Sequence, residues 1–229
     1  MSKGLFITAT GTDVGKTYVT ALIVKKLRDF GLNAGYYKAA ISGADSVSES
    51  DAGYVNRIAG IGESEEILLS YLYKTAVSPH LAARLEGNPV EMDVVKFAFA
   101  KAASQYEYLT MEGSGGIVCP IRKDEEATIF LEDIIRELNL PSLIIADAGL
   151  GTINAVVTTV EYMHARNLPI NGIILNHWTG DTMQLDNLAM IEEITKIKVC
   201  AVVRDGDTDL DIDKAVLTAL YKEIWNELL

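Results

Sequence analysis

Residues Leu5–Phe30, LFITATGTDVGKTYVTALIVKKLRDF, restrict the fold of this chain more than any other stretch. Leu5, Phe6 and Ile7 make a β-prone apolar run, and a turn rich in Thr, Gly and Asp follows. Gly15-Lys16-Thr17 then opens a helical pattern with Val19, Leu22, Ile23, Leu27 and Phe30 on one side. Strand, glycine-containing loop, then helix with GKT in its first turn is the layout of a phosphate-binding P-loop. The reasons are local. A helix N-terminus presents N–H groups without intrahelical partners, and its dipole favours an anion. Gly15 lets the backbone approach a phosphate, and Lys16 reaches the β- and γ-phosphates. The Thr17 hydroxyl can enter the shell of a bound Mg²⁺. The match is inexact: the G-x-x-x-x-G-K-[ST] pattern wants glycine where Thr10 stands, and glycine falls at Gly11 instead.

The rest of the chain alternates short apolar runs with helical patterns. Strands are expected at Ala34–Ala39, Tyr108–Glu112, Leu143–Asp147, Gly172–Asn176 and Val199–Val203, the last of the series. Helices are expected at Asp51–Ala59 with Ser50 as N-cap, and at Leu81–Leu85. Further helices follow at Val90–Gln105, Thr128–Leu138, Asn154–Arg166, Asp186–Thr195 and Asp213–Leu228. In Val90–Gln105 the inward side is read as Val94, Val95, Phe97, Ala98 and Ala102. Ile41–Ser50 reads as loop, and Glu65–Tyr73 fits helix or strand. Runs such as LIIAD and GIILN have the near-continuous apolar character of parallel strands covered on both faces. The alternation predicts one α/β domain over residues 1–229, a doubly wound, mostly parallel sheet flanked by helices.

A formal charge of −12 argues against nonspecific nucleic-acid binding, which relies on basic surface. No apolar run is long enough to span a bilayer, and Cys119 and Cys200 have neither metal nor disulfide spacing. A reduced, cytoplasmic enzyme with no nucleic-acid or membrane partner is expected. Lys38, read as ending a strand next to the P-loop strand, is either a charge for a transferring phosphoryl group or a solvated strand-end lysine. Asp51 and Glu112 are either oxygen donors completing a Mg²⁺ site with Thr17 or ordinary helix-start and strand-end acids. Asn176 either pairs with the two hydrogen-bonding edges of adenine or starts a turn. His80 is equally a surface histidine or a functional one. Asp205–Asp213 reads as a solvated acidic loop, and both cysteines as small apolar fillers.

These residues, taken in order, resemble one family. The blocks are Thr12-Asp13-Val14-Gly15-Lys16-Thr17, Lys38 with Ser42-Gly43, Ser50-Asp51-Ala52, Ser78-Pro79-His80, Glu112-Gly113-Ser114-Gly115-Gly116, Gly149-Leu150-Gly151-Thr152-Ile153-Asn154 and Asn176. Together they are similar to the dethiobiotin synthetases. The resemblance implies a homodimeric ligase that uses CO₂, ATP and Mg²⁺ to convert 7,8-diaminopelargonate to dethiobiotin through a carbamic–phosphoric anhydride. It implies Lys16, Lys38 and Thr12 as catalytic residues, and Thr17, Asp51 and Glu112 as metal-holding ones. ATP would be held by Asp13 to Tyr18 (with Val14 and Gly15 between), by Glu112, Gly113, Ser114 and Gly115, and by Asn176, His177, Val203 and Arg204. The substrate would meet Ser42 and, across a subunit interface, Gly149, Leu150, Gly151, Thr152 and Asn154.

The chain departs from the family pattern at Ala9, Gly11, Asp13 and Ala39, and Val202-Val203-Arg204 lacks the usual proline. Two other classes share this P-loop type. A corrinoid a,c-diamide synthase-like amidoligase needs a glutaminase domain for which 229 residues leave no room. A Min/Par-type positioning ATPase carries a lysine five residues before the P-loop lysine, where this chain has Gly11.

Overall fold

The computed structural model describes residues 2–224. The chain opens with β1 (Lys3–Ala9), α1 (Lys16–Asp29), β2 (Ala34–Ser42), α2 (Asp51–Ile58), α3 (Glu65–Leu68) and β3 (Leu69–Tyr73). It continues with α4 (Pro79–Glu86), α5 (Met92–Ala103), β4 (Tyr108–Glu112), β5 (Pro120–Lys123), β6 (Thr128–Phe130) and α6 (Leu131–Glu137). It finishes with β7 (Ser142–Asp147), α7 (Thr152–His164), β8 (Ile170–Asn176), α8 (Thr182–Thr195), β9 (Val199–Val202), α9 (Lys214–Ala219) and β10 (Lys222–Glu223).

Seven strands form a parallel sheet in the order β3-β2-β4-β1-β7-β8-β9, and β10 joins it antiparallel to the start of β1. Helices cover both faces, so the strands are apolar on both sides. Along β1, Phe6 packs into one layer with Val95, Ile134 and Val160, while Leu5, Ile7 and Ala9 pack into the other with Val19, Ile23 and Leu217. This alternation is the period of two that a strand imposes. Glu112, Asn176 and the loop after β7 all fall at the C-terminal edge of the sheet, where open α/β folds bind ligands.

Several sequence expectations are corrected. Lys38 does not end its strand, which runs on to Ser42, and β2 does not neighbour β1, because β4 inserts between them. Residues 128–138 are not one helix: Thr128–Phe130 pairs with Pro120–Lys123 as a hairpin, and α6 starts only at Leu131. The Phe130 N–H is taken by Asp133 Oδ2 at 2.8 Å, which fixes that start. Helix α5 buries Val95 and Ala102 as expected, but not Val94 or Phe97. Val95, Phe99, Ala102 and Ala103 point in, whereas Val94 is 45% and Phe97 74% exposed. Ser50 sits at the N-cap of α2, but its hydroxyl donates to Val47 O at 2.7 Å rather than capping the helix. The last helix stops at Ala219, because Tyr221 turns inward to pair with Thr110 and β10 then meets β1. Its expected continuation over 225–228 lies outside the described residues, and β9 is not the last strand.

Candidate active site

Gly15 is the N-cap of α1 and has φ +78°, the left-handed region that glycine enters without strain. A side chain there is excluded twice over, because a Cβ would come within 2.1 Å of Asn176 Nδ2. The turn therefore brings Lys16 and Thr17 to the floor of a cavity of about 970 Å³. Thr12 and Asp13 form its exposed rim, the latter at φ +62°, and Ser42, Asp51, Ser114 and Gly115 line it from other elements.

At the floor lies a compact charge cluster. Glu112 Oε1 accepts from Lys38 Nζ at 2.7 Å, Thr17 Oγ1 at 2.8 Å and Lys16 Nζ at 3.3 Å. Lys38 Nζ also reaches Asp51 Oδ2 at 2.6 Å. The register explains the meeting: Lys38 and Glu112 are directly opposed on β2 and β4, and Asp51 opens α2 beside them. Asp51 is thus both a helix-start acid and a partner of Lys38. Burial by itself would push the Glu112 carboxyl up, but the charges of Lys38 and Lys16 and the hydrogen bonds from Lys38 and Thr17 bring it down to about 2. Burial lowers Lys38 too, yet Glu112 and Asp51 outweigh it and leave the ammonium raised. For Lys16 burial prevails and its pKa is lowered.

Two lysines thus face two carboxylates, and the cluster is neutral before any ligand arrives. A triphosphate set on it needs additional positive charge. The oxygen donors present, Thr17 Oγ1 and the Asp51 and Glu112 carboxylates, suit a hard divalent cation that draws its remaining ligands from phosphate and water. Among the described residues no group of three or more His, Cys, Asp or Glu side chains forms an all-protein metal cage.

The walls are built from the backbone. Gly113 N donates to Ile7 O at 2.9 Å, and a Cβ on Gly113 would meet the Phe6 ring at 2.9 Å. Ser114 Oγ donates to Ala40 O at 3.0 Å, and Ser42 Oγ to Val77 O at 2.5 Å. Beside the P-loop, Asn176 donates from Nδ2 to Val14 O at 3.0 Å, while its Oδ1 is buried with no partner among the described residues. The amide therefore has its donor side engaged and its acceptor free, not two free edges. His177, at φ +58°, pairs through Nδ1 with Asp205 at 2.6 Å. The Arg204 N–H is taken by Asp207 Oδ2 at 2.8 Å, and the Tyr18 hydroxyl donates to Asp207 O. Asp209 holds Lys26 at 2.7 Å, so the acidic loop is tied to the protein rather than simply solvated. Val203 is fully buried, with N–H on Leu175 O and carbonyl on the Trp178 N–H, so it supports this loop from beneath.

The Gly149–Asn154 turn does not join this cavity. Leu150, Gly151 and Asn154 line a separate apolar hollow of about 480 Å³ between α7 and α8. Asp147 Oδ1 accepts from Gly149 N at 2.6 Å, Gly151 takes φ +94°, and the Thr152 hydroxyl is buried without a partner among the described residues. Leu150 is 93% exposed. His80 bonds Ser78 and lines a third, smaller hollow with Arg84 and Arg122. Cys119 is buried at the main cavity, where burial holds its thiol up at about 11. Sequence reading passed over Tyr36, whose hydroxyl reaches Glu112 Oε2 at 3.3 Å. The available signal was its place two residues before Lys38, on the same strand face.

No helix among the described residues is long and apolar enough to cross a membrane. Among solved structures the fold is similar to the MinC:MinD cell division protein complex of Aquifex aeolicus (TM-score 0.57, 12% identity, 96% of this chain and 94% of that chain). It is also similar to a ParA family ATPase from Chlorobium tepidum TLS (TM-score 0.56, 13% identity, 96% and 89% covered). Likeness at that identity concerns the fold alone. In sequence, residues 3–207 match the AAA domain family. The chain is 55% identical to the ATP-dependent dethiobiotin synthetase BioD of Brachyspira hyodysenteriae, over 92% of this chain and 96% of that one. It is 45% identical to the protein of the same name from Clostridium botulinum (strain Loch Maree / Type A3), over 98% and 100%. With a P-loop, a strand-edge glutamate and such relatives along nearly its whole length, the chain belongs to the ATP-dependent dethiobiotin synthetase family.

Proposed function

We propose that this chain is a ligase of biotin biosynthesis that condenses 7,8-diaminopelargonate with CO₂, converting ATP to ADP and phosphate, to form dethiobiotin. The observation that carries the reading is the neutral Lys16–Lys38–Glu112–Asp51 cluster beneath the P-loop cavity. One substrate amine takes up CO₂ as a carbamate and releases a proton. A carbamate oxygen attacks the γ-phosphorus and ADP leaves, giving a carbamic–phosphoric anhydride. The second amine attacks the carbamate carbon, and phosphate departs as the five-membered urea closes. The protein's part is positioning and charge stabilisation. Lys16 and Lys38 stabilise negative charge on the transferring phosphoryl group and the carbamate, and Thr12 and Ser42 border the same space. Thr17, Asp51 and Glu112 would hold Mg²⁺, which would supply the positive charge that the neutral cluster lacks. The free Asn176 Oδ1 suits the exocyclic amine of adenine, with His177 and Arg204 beside it.

The far carboxylate of the substrate needs donors, since burying it unpaired is costly. The start of α7 at Gly149–Asn154 offers N–H groups at a helix N-terminus. That turn shares no lining residue with the P-loop cavity, and Leu150 stands clear of its own chain. A two-fold homodimer in which each turn closes the partner's cavity accounts for both facts. The working compartment on this reading is the cytoplasm. Phosphate release measured with each co-substrate omitted in turn tests the proposal. Release should require both diaminopelargonate and bicarbonate; steady hydrolysis of MgATP without them would favour a switch ATPase.

A further inference from the structure

The two oxygens of Glu112 have unequal surroundings. Oε1 receives three donors, from Lys38, Thr17 and Lys16. Oε2, among the described residues, accepts from the Tyr36 hydroxyl alone, at 3.3 Å. Tyr36 lies on β2 opposite Thr110, while Lys38 lies opposite Glu112. The tyrosine therefore reaches diagonally across the two strands, one pleat up, to the glutamate. Its ring is fully buried in the apolar layer shared with Ile7, Val19 and Ile41. The terminal torsion of a glutamate is broad and nearly two-fold, so three donors on one oxygen do not by themselves set the plane of the carboxylate. A fourth donor, on the other oxygen, does.

We propose that Tyr36 is a positioning residue: it holds Glu112 Oε2 down against the sheet and so aims Oε1 at Lys16, Thr17, Lys38 and the divalent cation that accompanies the triphosphate. The inference rests on the reading of Glu112 as a metal-facing group. Outer partners of this kind typically alter metal affinity by ~10–100-fold when removed.

The test is a Mn²⁺ titration of the full-length protein saturated with ADP, with free Mn²⁺ read by electron paramagnetic resonance. Wild type, Tyr36→Phe, Glu112→Gln and the double variant are compared, with thermal midpoints recorded for each. Both changes are near-isosteric and keep the packing volume. The expected result is Mn²⁺ binding ~10-fold or more weaker in Tyr36→Phe, with unchanged ADP affinity in the absence of metal. The double variant should be no weaker than Glu112→Gln alone. Wild-type Mn²⁺ affinity in Tyr36→Phe beside a weakened Glu112→Gln would overturn the role of Tyr36 and spare that of Glu112. Unchanged affinity in Glu112→Gln would overturn both. Losses that simply add in the double variant would make Tyr36 a packing residue and overturn the proposal.

Discussion

Replacing Lys38 with Gln removes the ammonium that two carboxylates share, at 2.6 Å from Asp51 and 2.7 Å from Glu112. Lys38 is only 3% exposed, so the loss is felt in the interior and not screened by water. In the intact protein the Glu112 carboxyl sits at about 2 against an ordinary 4.5. At ~1.4 kcal/mol per pH unit, that depression contributes about 3 kcal/mol to stability at neutral pH. A carboxyl depressed in the folded state gives its stabilisation above the unfolded value, and loses it as the pH falls from about 4.5 towards 2. Without Lys38, Glu112 keeps Lys16 at 3.3 Å, Thr17 and Tyr36, so most but not all of the contribution should go. Lys38→Gln is expected to be less stable by about 2–3 kcal/mol at pH 7, which is a melting shift of roughly 5–10 °C for a chain of this size. Urea unfolding of both proteins at a series of pH values is the assay. The two stability curves should converge as the pH drops below about 4, because the wild type then loses what the variant already lacks. Turnover should fall by ~10²-fold or more, on the scale of removing one preorganised donor. Equal stability at neutral pH, or an offset that stays constant down to low pH, would refute the charge argument and leave only a packing effect.

Asp51→Asn should raise the Mg²⁺ concentration needed for half-maximal activity while barely changing the melting temperature, since the Asp51 side chain is 44% exposed. Metal titration of activity beside a thermal melt reads both. Gly15→Ala should weaken ADP binding by calorimetry, because its Cβ would displace Asn176 Nδ2, 2.1 Å away, and the residue holds φ +78°. Asn154→Ala should raise the KM for diaminopelargonate more than it lowers kcat, because it removes binding remote from the chemistry. Steady-state kinetics separates the two effects.

The parts of the fold legible in the sequence were those with one dominant local signal. LFITA, SLIIAD and INGIILN carry near-continuous apolar runs because both sheet faces are covered, and Gly15-Lys16-Thr17 fixes the junction of β1 and α1. What was misread carried two compatible signals. In MDVVKFAFAKAA apolar residues occur all round the helix, so the pattern could not choose between the Val95–Phe99 stripe and the Val94–Phe97 stripe. Residues 128–138 mix a hairpin arm with a short helix, and only pairing with β5 separates them. Sheet order was out of reach in a different way. That β4 slips between β1 and β2 is a long-range fact, and it is what seats Glu112 between Thr17 and Lys38. Lys16, Thr17, Lys38, Asp51 and Glu112, which meet at the cavity floor, could each be picked out as candidates from the sequence. Their mutual neutrality, and the Tyr36 contact beneath them, could not.

The proposed joining of a carbamate to the γ-phosphoryl group before ring closure is the step on which the rest of the reaction depends. Incubation with diaminopelargonate, MgATP and freshly dissolved ¹⁸O-bicarbonate, quenched within a single turnover and read by mass spectrometry, tests it most directly. Dethiobiotin is expected, with one ¹⁸O in the phosphate released with each ring closed, because the carbamate oxygen that attacks phosphorus leaves with it. Unlabelled phosphate with no dethiobiotin would contradict it.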